Sequence, residues 1–430
     1  MHYHLSERSI VHVWNQFWKG GHLMGLKRVS TALAALFILS AGAAYSAELS
    51  GRSSTQFLWY NNDLTQNRDF ETAEYLRIGI TNIDPAGKFS LFGYGRGTQV
   101  FGPDNQTTGR IYSLYGEYRD FYDVLDVKLG RQFVNYAAGS ALIDGVELNL
   151  KKVGPIGFSL MGGRDVVFGT KGGELSHSNN WALGLSGYLS GYPKTDLELS
   201  WFRKWDRGDV SRDFVGGMLR QYMFGAMKIY GDARYDLASE VFSEVHAGVK
   251  YFPMVNLVLT AEWYQSYPTF DTTSIYSVFA VDRFRQSLCR VDYTINDKIA
   301  IYGGSSWELY GEDASANVYH IGTKLRPINE LMIDVSYDKR HGFGGHLDGV
   351  TLGVNWDATK ELQLAGGFSY DEFTRDYLPT GGFNDNAQKY WVGGKYKFAK
   401  KMSSSIRVED DINVKYTHDV QGRLIFDYDF

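Results

Sequence analysis

The segment Leu331-Met332-Ile333-Asp334-Val335-Ser336-Tyr337-Asp338 places an apolar side chain at nearly every second position, and so does Val350-Thr351-Leu352-Gly353-Val354-Asn355-Trp356-Asp357. Such alternation is typical of a β-strand that has one apolar and one polar face. The pattern returns along most of the chain, in the segments 75–82, 123–133, 195–202, 246–252, 256–264, 298–309, 362–369 and 387–398. The sequence therefore predicts an all-β protein.

The amino-acid composition agrees with this fold class and excludes several others. The 430 residues include 48 Gly, 30 Tyr and 26 Phe, but only 8 Pro and a single cysteine. The aromatic content excludes a disordered chain. The lone Cys289 excludes a disulfide scaffold, and it also excludes covalently attached c-type haem, whose Cys-x-x-Cys-His motif needs two cysteines. The chain has one long apolar run, which excludes a bundle of membrane-spanning helices.

That run, residues 31–44, has the features of a secretory signal peptide. The basic pair Lys27 and Arg28 precedes it, and small residues close it at Ala44-Tyr45-Ser46. It is too short to cross a bilayer as a helix, so we interpret it as a signal cleaved after Ser46 rather than as a buried helix.

Three segments of the chain follow from this reading. Residues 24–46 are the signal peptide, with Met24 as its start, and residues 1–23 are interpreted as an untranslated upstream extension. Residues 47–430 then form a single domain. This domain has more acidic than basic residues, which argues against nucleic acid as a partner.

Turn signals divide residues 47–430 into strands. Short turns are predicted near 84–87, 122, 154–155, 191–193, 224, 253, 296, 327–329, 359 and 400, and the eight prolines are expected to fall between strands. Longer polar loops are predicted at 61–71, 101–110, 134–143, 165–179, 206–211, 236–239, 266–280, 311–316, 341–346, 372–386 and 411–419. This alternation predicts 22 strands, or 20 if the weak turn near 224 is absent.

Short turns at one end and longer loops at the other are typical of a transmembrane antiparallel up-and-down β-barrel of the bacterial outer membrane. The alternative, a set of soluble β-sandwich domains or a propeller, needs a polar outer face, whereas every second residue here is apolar. We therefore expect a barrel in contact with outer-membrane lipid and no plug domain, because the strands begin close to the cleavage site.

The end of the chain carries a resemblance to a known family. Four apolar residues alternate with other residues up to the last position: Leu424, Phe426, Tyr428 and Phe430. In this the sequence resembles Gram-negative outer-membrane porins. The resemblance implies location in the outer membrane and recognition of these four residues by the barrel-assembly machinery.

If the apolar face contacts lipid, the opposite face lines the pore. By this rule the predicted pore-lining residues are Arg77, Lys128, Lys228, Asp232, Arg234, Lys250, Glu262, Arg290, Asp292, Asp334, Lys395 and Lys397. Arg131 is added because the stretch 129–145 resembles the strand–loop–strand region of many porins. If that loop folds inward, Arg131 lines a constriction; otherwise it is a solvated arginine at a strand end.

The expected width of the barrel raises the question of what occupies it. A 22-stranded barrel leaves a wide lumen unless something fills it. The motifs Ser50-Gly51-Arg52-Ser53-Ser54 and Asn82-Ile83-Asp84-Pro85 resemble porin-like barrels of porin–cytochrome electron-transfer conduits, of the type found beside selenite/tellurite-reduction genes. That resemblance implies a sheath around a multihaem c-type cytochrome, whose haems belong to the partner.

Two functional hypotheses follow. The first is the cytochrome sheath, and the alternative is a diffusion porin for small polar or anionic solutes. No Ser/His/acid spacing predicts catalysis and no histidine cluster predicts a metal site, so neither an enzyme nor a bound cofactor is expected.

Overall fold

The computed structural model describes residues 47–62, 67–102, 105–169, 173–175, 179–189, 192–272, 282–375 and 383–430. The predicted signal peptide and upstream extension lie outside these residues. The described chain forms 22 strands: β1 (Glu48–Asn62), β2 (Asn67–Thr81), β3 (Phe89–Phe101), β4 (Gln106–Phe121), β5 (Leu125–Tyr136), β6 (Gly139–Val153), β7 (Ile156–Asp165), β8 (Trp181–Leu189), β9 (Thr195–Asp206), β10 (Asp209–Met223), β11 (Met227–Asp236), β12 (Val241–Met254), β13 (Leu257–Ser266), β14 (Phe284–Asn296), β15 (Ile299–Tyr310), β16 (Ala314–Ile328), β17 (Leu331–Gly342), β18 (His346–Asp357), β19 (Leu362–Arg375), β20 (Phe383–Ala399), β21 (Met402–Ile412) and β22 (Asp419–Asp429).

The strands close into a single barrel. Each strand pairs antiparallel with the next in sequence, and β22 pairs antiparallel with β1. At this seam Arg52 Nε donates to Asp429 Oδ1 at 2.6 Å, and the backbones of Gly51 and Phe430 exchange two hydrogen bonds of 3.1 Å. The all-β closed barrel is confirmed, and the described residues contain no plug domain. A helix that could span a membrane is not found among these residues.

The count of 22 strands is also confirmed, and the alternative of 20 is wrong. Residues 224–226 connect β10 to β11, with φ of 53° at Phe224 and 71° at Gly225. Two successive positive φ angles reverse the chain in a tight turn. A turn that contains Phe224 was the weakest signal in the sequence because phenylalanine rarely adopts this conformation.

The register gives the barrel two chemically different faces. Paired residues share a face, and the pairing can be followed strand by strand around the ring without a change of face. One face, here called the outer face, carries Leu129, Leu199, Ile321 and Val392, each 62–66% exposed. A continuous exposed apolar surface is what a barrel presents to lipid. The opposite, mostly polar face is called the lumen face.

The four residues of the predicted assembly signal lie at the seam. Leu424, Phe426 and Tyr428 alternate along the outer face of β22, and Phe430 follows directly after that strand. The ring of Phe57 on β1 meets the ring of Phe426 edge to face, with centroids 6.4 Å apart. Recognition by the assembly machinery stays a prediction.

The connections differ from the predicted loops in length. Strands continue into the predicted loops, so the loop predicted at 134–143 reduces to residues 137–138 and the one at 206–211 to residues 207–208. Only the connections 166–180 and 267–283 exceed ten residues. Polar residues near these strand ends still pair in the ladder, because backbone hydrogen bonding does not depend on the side chain.

Two prolines lie within strands, against prediction. Pro253 and Pro327 are the next-to-last residues of β12 and β16. At both positions the ladder is irregular, between Tyr251 and Met254 and between Leu325 and Ile328. Such an irregularity removes the need for the amide hydrogen that proline lacks, so a proline is tolerated there.

The seam provides a test of the closed barrel. A Cβ atom built on Gly51 lies 2.5 Å from Cζ of Phe430 and closer still to the carbonyl oxygen of Arg77. We expect Gly51→Val to destabilise the barrel by about 1–3 kcal/mol through overpacking, measured as a lower temperature for loss of the folded, fast-migrating band on a semi-native gel. Gly97→Val is the control, because a Cβ atom there meets nothing within 4 Å. Equal melting of both variants would contradict closure at this seam.

Candidate functional site: a hairpin folded into the lumen

The register places the predicted pore-lining residues as follows. Twelve of the thirteen lie on the lumen face: Arg77, Lys128, Lys228, Asp232, Arg234, Lys250, Glu262, Arg290, Asp292, Asp334, Lys395 and Lys397. Opposite charges are interspersed along this face; for example, Lys128 Nζ lies 2.9 Å from Glu147 Oε2. The lining is therefore of mixed charge, and the part that these residues play in permeation stays a proposal.

Arg131 is the exception. It lies three residues after Lys128 in a continuous ladder with β6, so the two side chains leave β5 on opposite faces. Arg131 instead shares its face with Leu129 and pairs with Leu114, which is 60% exposed on the outer face. The register thus separates Arg131 from the other predicted lining residues at the point where the chain bends at Gly130, whose φ is 128°. That Arg131 lines a constriction stays a prediction.

The hairpin that contains Arg131 leaves the barrel wall. The ladder between β4 and β5 ends where Leu114 pairs with Arg131, and the ladder between β6 and β7 begins where Ile143 pairs with Asp165. The ladder pairing of residues 132–142 between these points lies within the β5–β6 hairpin; outside it, the amide of Val166 donates to the carbonyl oxygen of Leu142 at 2.7 Å. The end of the hairpin formed by these residues can therefore bend away from β4 and β7.

The hairpin bends inward and lies on the lumen face. At its tip the amide of Ala137 donates to Glu198 Oε1 at 2.7 Å, and the amide of Ala138 donates to Ser200 Oγ at 2.8 Å. Both acceptors belong to the lumen face of β9. On β10, a Cβ atom built on Gly216 lies 2.6 Å from the backbone of Ala138, so the hairpin tip needs glycine there.

An apolar core holds the hairpin against the wall. Its buried residues come from the hairpin and from the lumen face of β7 to β10: Val134, Tyr136, Ala138, Ala141, Ile143, Met161, Ala182, Phe202 and Phe214. Ile143 and Met161 are fully buried. Burying side chains of this size stabilises by about 1.5–3 kcal/mol each, which offsets the loss of strand pairing with the wall.

Residues 166–169, at the start of the connection 166–180 that follows β7, lie beside β4 where the hairpin has left the wall. Phe168 packs edge to face on Tyr112 of β4, with ring centroids 5.9 Å apart. Arg110 of β4 donates from Nη2 to the carbonyl oxygen of Gly169 at 2.9 Å, and its guanidinium lies 5.6 Å from the ring of Phe168. This connection therefore joins β4 to the region of β7 in place of the missing hairpin pairing.

Arg131 links the hairpin to this connection. Its guanidinium donates to both carboxylate oxygens of Asp144, at 2.7 and 2.8 Å, and Nη1 lies 2.6 Å from Glu174 Oε1. Glu174 also binds Arg164 Nη2 at 2.6 Å. Arg131 is only 14% exposed, and bidentate pairs of this kind are strong and geometrically specific. Arg131 thus fixes the base of the hairpin.

The lumen face far from the hairpin carries small side chains. From β15 to β19 these include Gly304, Ser306, Ala316, Gly322, Ser336, Gly349, Thr351, Gly353, Ala365, Gly367 and Ser369. The hairpin of β5 and β6 lies about half-way around the ring from these strands. The open part of the lumen is therefore expected beside β15 to β19.

The sequence contained one signal for the inward hairpin. Residues Val134, Tyr136, Ala141 and Ile143 are apolar or aromatic on the face that elsewhere in the chain is polar. In the structure this face is buried, whereas Phe133 on the opposite face is 64% exposed. An apolar face on the lumen side is stable only when other residues cover it, and the hairpin achieves this by bending onto the lumen face of β7 to β10.

Comparisons with known proteins concern the fold. No protein-family model and no curated protein matches the chain. Among solved structures, the translocation pore of the P pilus usher PapC matches with a TM-score of 0.52 and 9% identity, over 89% of this chain and 99% of that chain. A BenF-like porin from Pseudomonas fluorescens Pf-5 matches at 0.46 and 9%, over 89% and 98%. OccAB3 from Acinetobacter baumannii matches at 0.45 and 10%, over 90% and 100%. The PapC match indicates a shared barrel fold.

The base of the hairpin can be tested by removing its arginine. Arg131→Gln leaves Asp144 without its bidentate partner and leaves Glu174 with Arg164 alone, and losing one partner of such a part-buried contact costs about 1–3 kcal/mol. We expect amide hydrogen exchange of residues 132–142 to be faster by about tenfold or more, measured by mass spectrometry. Lys339→Gln, in an exposed pair with Asp348, is the control and is expected to leave this exchange unchanged. Unchanged exchange in Arg131→Gln would contradict the assigned role.

Proposed function

We propose that the chain is an outer-membrane diffusion channel for small polar and charged solutes. The inward β5–β6 hairpin is the observation that carries this proposal. It narrows a lumen that would otherwise be as wide as 22 strands allow, and it does so with the chain's own residues. The interspersed charges of the lumen face suit hydrated solutes, because they replace lost water contacts without favouring one sign strongly.

The outer membrane is the proposed location because the outer face is apolar around the closed ring. A lipid-exposed sheet must have no free edge, since unpaired backbone groups in hydrocarbon cost several kcal/mol each. The pairing of β22 with β1 meets that requirement. Contact with the barrel-assembly machinery through Leu424, Phe426, Tyr428 and Phe430 is proposed on the same basis.

The inward hairpin weakens the reason for expecting a cytochrome sheath. The sheath was inferred from a wide lumen with nothing in the chain to fill it. The hairpin core of buried residues such as Val134, Ile143 and Phe202 is seated on the lumen face instead. A multihaem c-type cytochrome partner therefore has no structural observation in its favour, and a diffusion channel accounts for the lumen without one.

The proposal is tested by planar-bilayer recording of the purified chain. The wild type should give small, stable single-channel conductance. Gly216→Val displaces the hairpin tip, because its side chain would occupy the space of Ala138. We expect this variant to conduct about twice as much or more, since an unfilled barrel of this size is wide.

Gly217→Val is the matched control. It adds the same side chain to the next position of β10 but on the outer face, where the nearest neighbour is a flexible Leu199 side chain. Its conductance should equal that of the wild type. Very large or erratic conductance of the wild type would contradict the diffusion channel and favour a sheath. Equal conductance of Gly216→Val and wild type would show that the hairpin does not limit flow.

A further inference from the structure

The lumen wall contains the same arrangement of residues twice. The segment His246-Ala247-Gly248-Val249-Lys250 of β12 and the segment His320-Ile321-Gly322-Thr323-Lys324 of β16 share the spacing His-x-Gly-x-Lys. The strand before each contains Ile-Tyr-Gly, at 229–231 in β11 and at 301–303 in β15. The register pairs Tyr with Gly in both copies.

In the first copy an aromatic ring lies flat along the wall. Tyr230 pairs with Gly248, and a Cβ atom at Gly248 would lie 2.5 Å from Tyr230 Cζ, so the ring passes over the glycine. Beyond it the Tyr230 hydroxyl donates to Glu262 of β13. The glycine lets the tyrosine lie across a neighbouring strand, and its ring face remains turned to the lumen.

Two lysines flank this ring. Lys228 Nζ lies 5.4 Å and Lys250 Nζ 5.9 Å from the Tyr230 centroid, within cation–π range. Lys228 and Lys250 are direct cross-strand partners on the lumen face. Neither forms an ion pair with any residue in the described part of the chain. Like charges directly opposite each other destabilise a sheet, so this pair is costly without an anion.

Two acids on the lumen face of the first copy, Glu262 and Asp232, have other partners. Glu262 accepts the hydrogen bond of Tyr230, and its Oε2 lies 3.8 Å from His246 Nε2. Asp232 Oδ1 lies 3.4 Å from His246 Nδ1. The two ammonium groups therefore keep donors for a ligand from the lumen.

The second copy shares the tyrosine, the glycine and the acid, but it lacks the lysine pair and its cations are compensated. Tyr302 passes over Gly322 and donates to Asp334 at 2.9 Å. Lys324 lies 5.7 Å from the Tyr302 ring and 4.0 Å from Asp334, and its cross-strand partner is Ala300 rather than a lysine. The second cation at this ring is Arg290 of β14, 5.3 Å away, which binds Asp292 at 2.7 Å. Two directly opposed lysines therefore occur in the first copy and not in the second.

We propose that Lys228 and Lys250 bind a small, multiply charged oxyanion on the lumen wall, of the class of sulfate and phosphate. Two ammonium groups on adjacent strands offer several donors to a tetrahedral anion, and lysine is suited to such ligands as a point charge. Lys228 is the second residue of β11, so the site lies near the short-turn end of the barrel. The proposal rests on the proposed function only in that the anion arrives through the lumen.

Calorimetry with sodium sulfate on the purified chain in detergent micelles tests the site without requiring conduction. We expect the double variant Lys228→Gln/Lys250→Gln to weaken sulfate binding at least about tenfold, since it removes two charge-assisted contacts. Lys228→Arg/Lys250→Arg should restore binding. Lys324→Gln, at the matching position of the compensated copy, should stay within about twofold of the wild type.

The outcomes separate the two proposals. Equal sulfate affinity of wild type and Lys228→Gln/Lys250→Gln overturns the oxyanion site, as does a wild type that binds no sulfate. If the wild type binds sulfate but does not conduct in bilayers, the site stands and the diffusion channel fails. Each variant is first checked for the heat-modifiable gel shift of a folded barrel. If the double variant does not fold, Lys228→Gln alone is measured, and unchanged binding there overturns the proposal.

Discussion

Backbone hydrogen bonding between β22 and β1 is the contact on which the rest of this molecule depends. Strand edges that face hydrocarbon cost several kcal/mol for each unpaired group, so the apolar outer face is compatible with lipid only when the ring is closed. Closure of the ring also determines which side of each strand belongs to the outer face and which to the lumen face. Arg52 pairs with Asp429 on the lumen face, and every intermediate pairing keeps the same assignment. One seam therefore determines which side chains face lipid and which face the lumen.

A ring of 22 strands creates a second constraint, because its lumen is wide unless something enters it. The chain meets this by taking residues 132–142 out of the wall and folding them onto β9 and β10. The lost wall pairing is offset by burial of residues such as Ile143 and Met161, and Arg131 holds the base of the bend. The connection 166–180 then joins β4 to the region of β7. The hairpin thus narrows the lumen, while the contacts with β4 keep the wall continuous where the hairpin has left it.

The sequence predicted the strands and faces well because side chains alternate with a period of two, whatever the tertiary contacts. The sequence was less informative about features that depend on tertiary contacts rather than on side-chain alternation. Arg131 was linked to a constriction by a resemblance, and no local pattern predicted its contacts with Asp144 and Glu174 at the base of the hairpin. Loop bounds were too wide because polar strand ends still pair. The two His-x-Gly-x-Lys segments could not be recognised as related from the sequence, because so short a pattern with two variable positions also occurs by chance. Their relation becomes visible in the register, which pairs Tyr302 with Gly322.

The tip of the hairpin rests on β9 and β10, and the lysine pair lies on the adjacent strands β11 and β12. Gly216, under the hairpin tip, and Tyr222, opposite Lys228, are six residues apart on β10, which is about 20 Å along a strand. In the proposed channel, a solute that passes the hairpin towards the short-turn end would then reach Lys228 and Lys250, and a solute moving in the other direction would meet them first. Uncompensated charge beside low-dielectric walls focuses the field and raises the local concentration of counter-ions. The narrow point would select by size, and the lysine pair would enrich anions on one side of it.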